Sequence, residues 1–219
     1  MNALLVHDLG GLALGASLCA AGLTLAEALR RFTRAGPEAT RKCAHASTGL
    51  AAACFPWLFN SPVSVGLLCG GFLALLAWSR AVGRLASIHG VARRSEGSLY
   101  YPFGVALVFL LARGRPAVYV SSLLVLAVSD AAAALLGARG VHRYDGPGGP
   151  KSLEGSLAFF ASALPCILVP LAWAVPSGRY AACGLAAAAL ATVLEATSPK
   201  GSDNLTVPFG TCLFLRAWS

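Results

Sequence analysis

The stretch PAVYVSSLLVLAVSDAAAALLG, residues 116–137, contains a single charged side chain, Asp130. A helix of about 20 apolar residues crosses roughly 30 Å of hydrocarbon, so this stretch is long enough to span a membrane. Comparable apolar runs recur along the chain, near residues 9–29, 43–60, 63–79, 101–114, 156–175, 180–197 and 205–216. The sequence therefore predicts an all-α, polytopic integral membrane bundle of seven to eight segments, forming one domain over residues 1–219.

The composition agrees with a membrane protein and excludes several other classes. Hydrophobic residues make up 57% of the chain, charged residues 12%, and the mean hydropathy is +0.69. Soluble domains carry about twice that charged fraction. The net charge of +8 does not predict nucleic-acid binding, because the basic residues do not line one face with interleaved aromatic side chains. The seven cysteines are scattered through apolar runs and predict neither a disulfide framework nor a zinc site.

The basic residues are unevenly divided between the two sides of the predicted topology. Arg113, Arg115, Arg179 and Arg216 lie on one side, and the other Lys and Arg residues lie on the opposite side. Because short cytoplasmic loops are enriched in Lys and Arg, the richer side is predicted to be cytoplasmic and the N-terminus outside. The Ala-, Gly- and Arg-rich usage favours a bacterial plasma membrane, with the functional side chains on the cytoplasmic side.

Acidic residues inside the apolar runs are candidates for function. Asp130 lies about two helical turns before the end of its run, and small residues follow it, which let a ligand approach. Glu195 lies one turn before the end of its run. A carboxylate at membrane depth costs at least about 2.5 kcal/mol, so such acids usually face a cavity, a cation or a partner. Glu27, beside a basic run, is better explained as a helix-end residue that reaches headgroup water.

Basic and histidine side chains occur together in RKCAH, residues 41–45. Arg41 and His45 are four residues apart and therefore share one face of a helix at a predicted membrane entrance. The same stretch is explained equally well as the positively charged flank of a membrane segment followed by a polar cap. The spacing therefore leaves open whether RKCAH belongs to a functional site or only to a helix end.

A glycine-rich loop, DGPGGPKSLEGS at residues 145–156, separates two apolar runs. Such a loop leading into a helix offers backbone N–H groups and the positive end of a dipole, which suit a polyphosphate. Lys151 adds a positive charge, Ser152 is a good N-cap, and Ser156 offers a second hydroxyl. The loop departs from a P-loop, because Pro150 stands where that motif has glycine. A flexible interhelical loop would explain its glycines and prolines but not its polar residues.

These residues together resemble a known family. SDAAAALLGARG (129–140) followed by PKSLEGS (150–156) is similar to the CTP-binding signature of the CTP-dependent lipid kinases, which include dolichol kinase, phytol kinase and yeast-type diacylglycerol kinase. Three further stretches agree with it: RKCAHASTG (41–49), EGSLYYPFG (96–104) and DNLTVP (203–208). The resemblance implies a membrane-embedded catalytic domain that moves the γ-phosphate of CTP to a lipid hydroxyl with a divalent cation, Mg²⁺ or else Mn²⁺ or Ca²⁺.

Carried over residue by residue, the resemblance implies a set of functional positions. Those for the nucleotide are Arg41, Lys42, Gly137, Gly140, Lys151, Ser152, Gly155, Ser156 and Asn204. Those for catalysis are His45, Asp130, Lys151 and Glu154, and those for the metal are Asp130 with Glu154, Glu195 or Asp203. The general base stays open between one of the acids and His45. The family often has an acid directly before its aromatic pair. In this chain Ser98 and Leu99 precede Tyr100, so Glu96 lies away from that position.

Two other functions remain alternatives. The CDP-diacylglycerol synthases are similar in the aspartate, the glycine-rich spacer and the K-[ST]-x-E-G sequence, but they also have a C-terminal signature that this chain replaces with PKGSDNLTVPFG. A small ion-coupled transporter would also use embedded acids, but it predicts repeats that the sequence lacks. For a kinase, the lipid alcohol would be a polyprenol, phytol or diacylglycerol. Its tail is expected beside residues 100–111 or 180–197.

Overall fold

The computed structural model describes residues 3–89, 97–174 and 179–218. Helices form most of this part of the chain: α1 (Ala3–Phe32), α2 (Pro37–Ala53), α3 (Phe55–Leu58), α4 (Pro62–Ala81), α5 (Ala86–His89), α6 (Gly97–Leu111), α7 (Pro116–Leu124), α8 (Asp130–Gly137), α9 (Leu153–Ala174), α10 (Arg179–Thr197) and α11 (Asp203–Trp218). A π-helical turn, Val125–Ser129, joins α7 to α8. Two short strands, β1 (Arg143–Gly146) and β2 (Gly149–Ser152), stand between α8 and α9.

The protein is a helical membrane protein, as the sequence predicts. Five helical segments among the described residues are long and apolar enough to cross a bilayer: His7–Phe32, Pro62–Ala81, Pro116–Gly137, Leu153–Ala174 and Tyr180–Thr197. The other predicted segments correspond to shorter helices, α6 and α11, and to the pair α2 and α3, which is interrupted at Cys54. The count of seven to eight segments and the outside N-terminus therefore stay predictions.

The two strands form an antiparallel hairpin in the predicted glycine-rich loop, so the fold is not purely α-helical. Arg143 pairs with Ser152 at one end, and Gly146 pairs with Gly149 at the turn. Gly149 has a φ of 115°, which L side chains rarely adopt. A Cβ at Gly148 would lie 2.7 Å from the carbonyl oxygen of Ser198. The glycines thus let the hairpin turn lie directly on the end of α10, a role that the sequence did not reveal.

The segment from α7 through α8 lies at the centre of the bundle. Tyr119, Leu123 and Leu126 are almost completely buried. The hydroxyl of Tyr119 donates to the carbonyl oxygen of Ala52 at 3.0 Å, which satisfies its polar atom inside the core. Because α2, α9 and α11 all pack against this segment, the acid that begins α8 is held between several helices.

Close helix crossings set the positions of the site residues. A Cβ at Gly155 would lie 3.0 Å from the carbonyl oxygen of Ala133, so α8 and α9 meet backbone to backbone. A Cβ at Gly104 would lie 2.7 Å from the carbonyl oxygen of Asn204, which brings α6 equally close to the start of α11. Small residues permit such contacts between membrane helices, where packing drives association.

Candidate active site

A cavity of about 570 Å³ brings together most of the residues singled out in the sequence. Its walls come from α1, α2, α4, α6, α8, the hairpin, α9, α10 and the start of α11. The predicted residues that line it are Arg41, Lys42, His45, Asp130, Gly137, Lys151, Ser152, Gly155, Ser156, Glu195, Asp203 and Asn204. Ligand sites in proteins commonly have volumes in the range of 300–1,000 Å³, so the cavity is large enough for a nucleotide phosphate chain or a small ligand.

Asp130 and Lys42 form a buried ion pair in the cavity. Lys42 Nζ donates to Asp130 Oδ2 at 2.5 Å, and both side chains are buried. Asp130 begins α8 directly after the π-helical turn, a type of irregularity that is frequent at functional sites. A buried charge is tolerated only when it is paired, so each of these two residues stabilises the other in its charged form.

His45 lies beside the same carboxylate. Its Nε2 is 3.2 Å from the carbonyl oxygen of Leu126, in the π-helical turn, and 3.4 Å from Asp130 Oδ2. When Nε2 carries the proton and donates it to Leu126, Nδ1 is the ring nitrogen that can accept a proton. The structure therefore brings His45 next to Asp130, and it orients the imidazole through the backbone.

Tyr101 is a cavity residue that the sequence analysis did not select. Its ring contacts His45 edge to face, with 4.8 Å between the ring centroids. The side chain is buried, and its hydroxyl has no hydrogen-bond partner among the described residues. Tyr101 lines the cavity, and its hydroxyl oxygen is buried against α2, where a Cβ at Gly49 would lie 3.2 Å from it. A buried hydroxyl without a hydrogen bond is costly. In the sequence, the sign of this residue is the tyrosine pair before a proline in YYPFG.

Lys151 and Glu195 form a second ion pair on the opposite wall. Lys151 Nζ donates to Glu195 Oε1 at 2.5 Å and also to the carbonyl oxygen of Glu195. Glu195 is buried near the end of α10, and Lys151 projects from β2. The ion pair explains how the buried carboxylate of Glu195 is accommodated. It also holds the side chain of Lys151 at the cavity.

Arg41 forms a third pair at the start of α2. Its Nη2 donates to Glu38 Oε1 at 2.5 Å and its Nε to Glu38 Oε2 at 3.1 Å, a two-bond arrangement. Burial lowers the pKa of the Arg41 guanidinium, but the hydrogen bonds to Glu38 and the negative charges of Glu38, Asp130 and Asp203 together outweigh burial and raise it.

Asp203 differs from these acids because it has no basic partner. Among residues 3–89, 97–174 and 179–218 it makes no ion pair, and its Oδ1 accepts only from the backbone N–H of Asn204, at 3.1 Å. Burial raises the pKa of Asp203, and the negative charge of Asp130 raises it further. Within the described residues, the cavity thus contains one carboxylate that takes part in no ion pair.

The residues of this cavity fit a divalent cation held with the help of a substrate. No group of three or more His, Cys, Asp or Glu side chains in the described ranges forms a complete metal cage. Mg²⁺ usually takes only one or two carboxylates and completes its shell with water and substrate phosphates. Asp130 and Asp203 line the same cavity and are hard oxygen ligands, so they suit this mode of binding.

The start of α9 is capped as the sequence predicts. Ser152 Oγ accepts from the backbone N–H of Gly155 at 3.1 Å and donates to the carbonyl oxygen of Gly137 at 3.1 Å. Ser156 lines the cavity one turn later, and its hydroxyl lies 2.7 Å from the hydroxyl of Tyr144. The cap ties β2, α8 and α9 together and brings the N-terminal turn of α9 to the cavity.

Two predicted residues lie outside the cavity lining. Glu154 Oε1 accepts from the backbone N–H groups of Val141 and His142, and it lies 2.8 Å from His142 Nδ1. A Cβ at Gly140 would lie 2.6 Å from Glu154 Oε2, so this glycine permits the carboxyl group to approach. The structure therefore does not bring Glu154 to Asp130; it shows Glu154 fastening the segment before β1. The displaced Glu96 lies outside the described residues.

Two known proteins are similar to this chain in sequence. A phytol kinase from Synechocystis sp. is 33% identical over 211 residues, which cover 94% of this chain and 89% of that protein. An uncharacterized protein from Methanocaldococcus jannaschii is 29% identical over 154 residues, covering 68% of this chain and 74% of that protein. No protein-family model matches the chain, and no solved structure matches it significantly. Because the similarity to the phytol kinase extends over nearly the whole of both chains, this protein belongs to the CTP-dependent lipid kinase family.

Proposed function

We propose that this protein transfers the γ-phosphate of CTP to the hydroxyl group of a membrane lipid alcohol. The observation that carries the proposal is one cavity between membrane helices in which Lys42, Lys151 and Asp203 converge with Asp130. Phosphoryl transfer depends mainly on positioning and on charge stabilisation, and these residues supply positive charge and carboxylate oxygens together. The family resemblance supports CTP as the donor.

The acceptor is proposed to be an isoprenoid alcohol of the phytol type. The similarity to a phytol kinase supports this choice, with a polyprenol or diacylglycerol as the other acceptors to be tested. The apolar helices around the cavity allow such an alcohol to arrive from the bilayer. The cavity is proposed to open to the cytoplasm of a bacterium, and the N-terminus to lie on the outer side of the plasma membrane. Helices α2, α6 and α11 are proposed to complete the seven to eight membrane segments.

In the proposed reaction, the lipid oxygen forms a bond to the γ-phosphorus while the bond to the β–γ bridging oxygen breaks and CDP leaves. Lys151 and the N-terminal turn of α9, capped by Ser152, would hold the phosphate chain through charge and backbone N–H groups. Arg41 and Asn204, which also line the cavity, are further candidates for nucleotide contacts. A bound Mg²⁺ would neutralise negative charge on the phosphate oxygens, and Asp130 and Asp203 are the residues proposed to hold it.

The proton of the lipid hydroxyl must go to a base in the cavity. His45 is the proposed acceptor, because its Nε2 lies 3.2 Å from a carbonyl oxygen and its other ring nitrogen is then free to accept. Tyr101, whose hydroxyl has no partner among the described residues, is proposed to donate a hydrogen bond to the lipid oxygen or to the transferred phosphoryl group. Asp130, which is 3.4 Å from His45, would stabilise the imidazolium that forms.

The test is label transfer with purified protein in detergent and Mg²⁺. CTP labelled at either its α or its γ phosphorus is offered with phytol, a polyprenol, diacylglycerol and phosphatidic acid. We expect γ label on an alcohol, nearly complete loss with Asp130→Asn, and full activity with the control Asp145→Asn, which changes an exposed hairpin carboxylate. Label from the α position on phosphatidic acid would instead establish a cytidylyltransferase. No transfer of either label, in protein shown to be folded, would favour a transporter.

A further inference from the structure

A second cavity lies between α1 and α4 and has a volume of about 990 Å³. Its lining is mostly apolar and includes Leu12, Cys19, Leu67, Gly71 and Leu75. The two helices contact each other near Gly15, where a Cβ would lie 3.0 Å from Leu68 Cδ2. Both helices are long enough to cross a bilayer, so the groove between them runs through the depth of the hydrocarbon.

This groove adjoins the catalytic cavity. Leu23 of α1 and Phe72 of α4 line both spaces. Beyond them, Thr48 of α2 lines the catalytic cavity, which also contains His45 and Tyr101. A molecule that lies in the groove is therefore separated from the cavity of the proposed base by the side chains of Leu23 and Phe72.

The polarity of the groove changes along its length. Its polar side chains, Thr24, Glu27, Ser79 and Arg84, belong to the ends of α1 and α4 and to the turn that follows α4. The opposite end is formed by Leu12, Ala16, Leu67 and Leu68. The distance along α1 from Leu12 to Glu27 is about 22 Å at 1.5 Å per residue. This gradient is complementary to an amphiphile with one polar end and one long hydrocarbon chain.

We propose that the α1–α4 groove holds the hydrocarbon chain of the lipid alcohol and delivers its hydroxyl past Leu23 and Phe72. The proposal rests on the proposed kinase function and names the acceptor class: an alcohol with a single chain, because one groove between two helices holds one chain. Diacylglycerol would leave its second chain outside the groove. The groove thus differs from the tail position expected from the sequence, beside α6 or α10.

Gly71 offers a way to block the groove. A Cβ at Gly71 or at the neighbouring Gly70 would have no heavy atom within 4 Å, so both glycines face open space. Only Gly71 of the two lines the groove. Gly71→Leu therefore fills the groove, while Gly70→Leu makes the same change on another face of the same helix.

The first measurement is kcat/KM for phytol and for the short alcohol geraniol in both variants. With Gly71→Leu we expect kcat/KM for phytol to fall about tenfold or more, because binding along the chain is lost, while geraniol is used as by the wild type. Gly70→Leu should resemble the wild type with both alcohols. Equal phytol kinetics in the two variants would overturn the groove proposal, and so would diacylglycerol used as efficiently as phytol.

The second measurement does not depend on catalysis. Wild-type protein is irradiated with phytol that carries a diazirine near its chain end, and the labelled peptides are identified by mass spectrometry. Labelling of α1 and α4 that excess phytol prevents would support the groove, even if no phosphate were transferred and the kinase proposal alone failed. Labelling that is confined to α6 or α10, or that excess phytol does not reduce, would reject the groove.

Discussion

Two regions of the molecule hold a carboxylate that is at least half-buried, Asp8 in α1 and Asp203 at the start of α11. The two carboxylates differ in the number of hydrogen bonds that they accept. At the start of α1, Asp8 accepts hydrogen bonds from the backbone N–H groups of Asn60 and Ser61 and from the hydroxyl of Ser64, at 2.6–3.1 Å. In the catalytic cavity, Asp203 accepts from one neighbouring N–H and makes no ion pair among the described residues. Burial of an acid in a membrane protein therefore does not by itself mark a functional residue; unused bonding capacity beside a cavity does.

The two sites also differ in what surrounds the carboxylate. Asp8 binds the residues that lead into α4, so its donors fix the beginning of that helix against α1. The catalytic cavity instead contains space and several ion pairs, among them Lys42 with Asp130. Satisfied polar groups rigidify a fold, whereas a polar cavity with unmatched groups is suited to a ligand.

Asp130→Asn should have the largest effect on activity. We expect kcat to fall by about a thousandfold or more, since the variant loses a proposed metal ligand and the carboxylate beside His45. The substitution also leaves Lys42 buried without its partner, so thermal stability should fall. The double variant Lys42→Met/Asp130→Asn should regain stability but not activity. Recovery of activity together with stability would show that Asp130 has only a structural role.

Asp203→Asn should separate activity from stability. We expect kcat to fall about a hundredfold and the Mg²⁺ concentration needed for half-maximal rate to rise, because a proposed oxygen ligand is weakened. The unfolding temperature should be unchanged or higher, because the native acid is partly buried without a cation. Mg²⁺ titrations and thermal unfolding in detergent provide both measurements. A variant that loses stability and retains its Mg²⁺ dependence would contradict the assignment of Asp203.

Asp8→Asn should show the opposite behaviour. In the variant, an amide nitrogen replaces one carboxylate oxygen and cannot accept hydrogen bonds from the N–H and O–H groups around it. We therefore expect the free energy of unfolding to fall by about 2 kcal/mol. The activity per folded molecule should not change, since Asp8 lies far along α1 from Leu23, the residue of this helix that lines the catalytic cavity. A reduced kcat in fully folded protein would break the comparison, because it would connect the two ends of α1.

Tyr101→Phe should have the smallest effect. The variant keeps the ring that packs on His45 and removes only the hydroxyl, which makes no hydrogen bond within the described ranges, so stability should be unchanged or slightly higher. Loss of one hydrogen bond to a reacting group predicts a fall of about tenfold in kcat, equivalent to about 1.4 kcal/mol. Steady-state kinetics beside thermal unfolding test this. An unchanged kcat would remove Tyr101 from the proposed mechanism, whereas Tyr101→Leu, which also removes the ring, should impair both properties.

Much of the fold could be predicted from local sequence. The apolar runs 116–137, 156–175 and 180–197 correspond closely to observed helical segments, because membrane-spanning length is a property of contiguous residues. The cap by Ser152 was also predictable, since an N-cap acts within three residues of itself. The hairpin was not predicted, because its glycines and prolines are equally compatible with an irregular loop until the contact with the end of α10 is known.

Two of the ion pairs in the cavity could not be read from local sequence. Lys42 and Asp130 are 88 residues apart, and Lys151 and Glu195 are 44 residues apart. Spacing along the chain contains no information about such contacts. Glu154 shows the same limit. Its position three residues after Lys151 suggested that it lies in the cavity, but the orientation of α9 brings its carboxylate to His142.

The sequence by itself determined that this chain is a membrane helix bundle of the lipid kinase family, with Asp130, Lys151 and the RKCAH stretch as its principal polar residues. These properties depend on hydrophobic length and on the identity of short motifs, which any stretch of chain displays before it folds. Tertiary packing determines which carboxylates are paired, that Tyr101 lines the cavity, and that a groove between α1 and α4 lies beside it. The reason is physical: packing of distant helices determines which polar atoms meet and which retain unused bonding capacity.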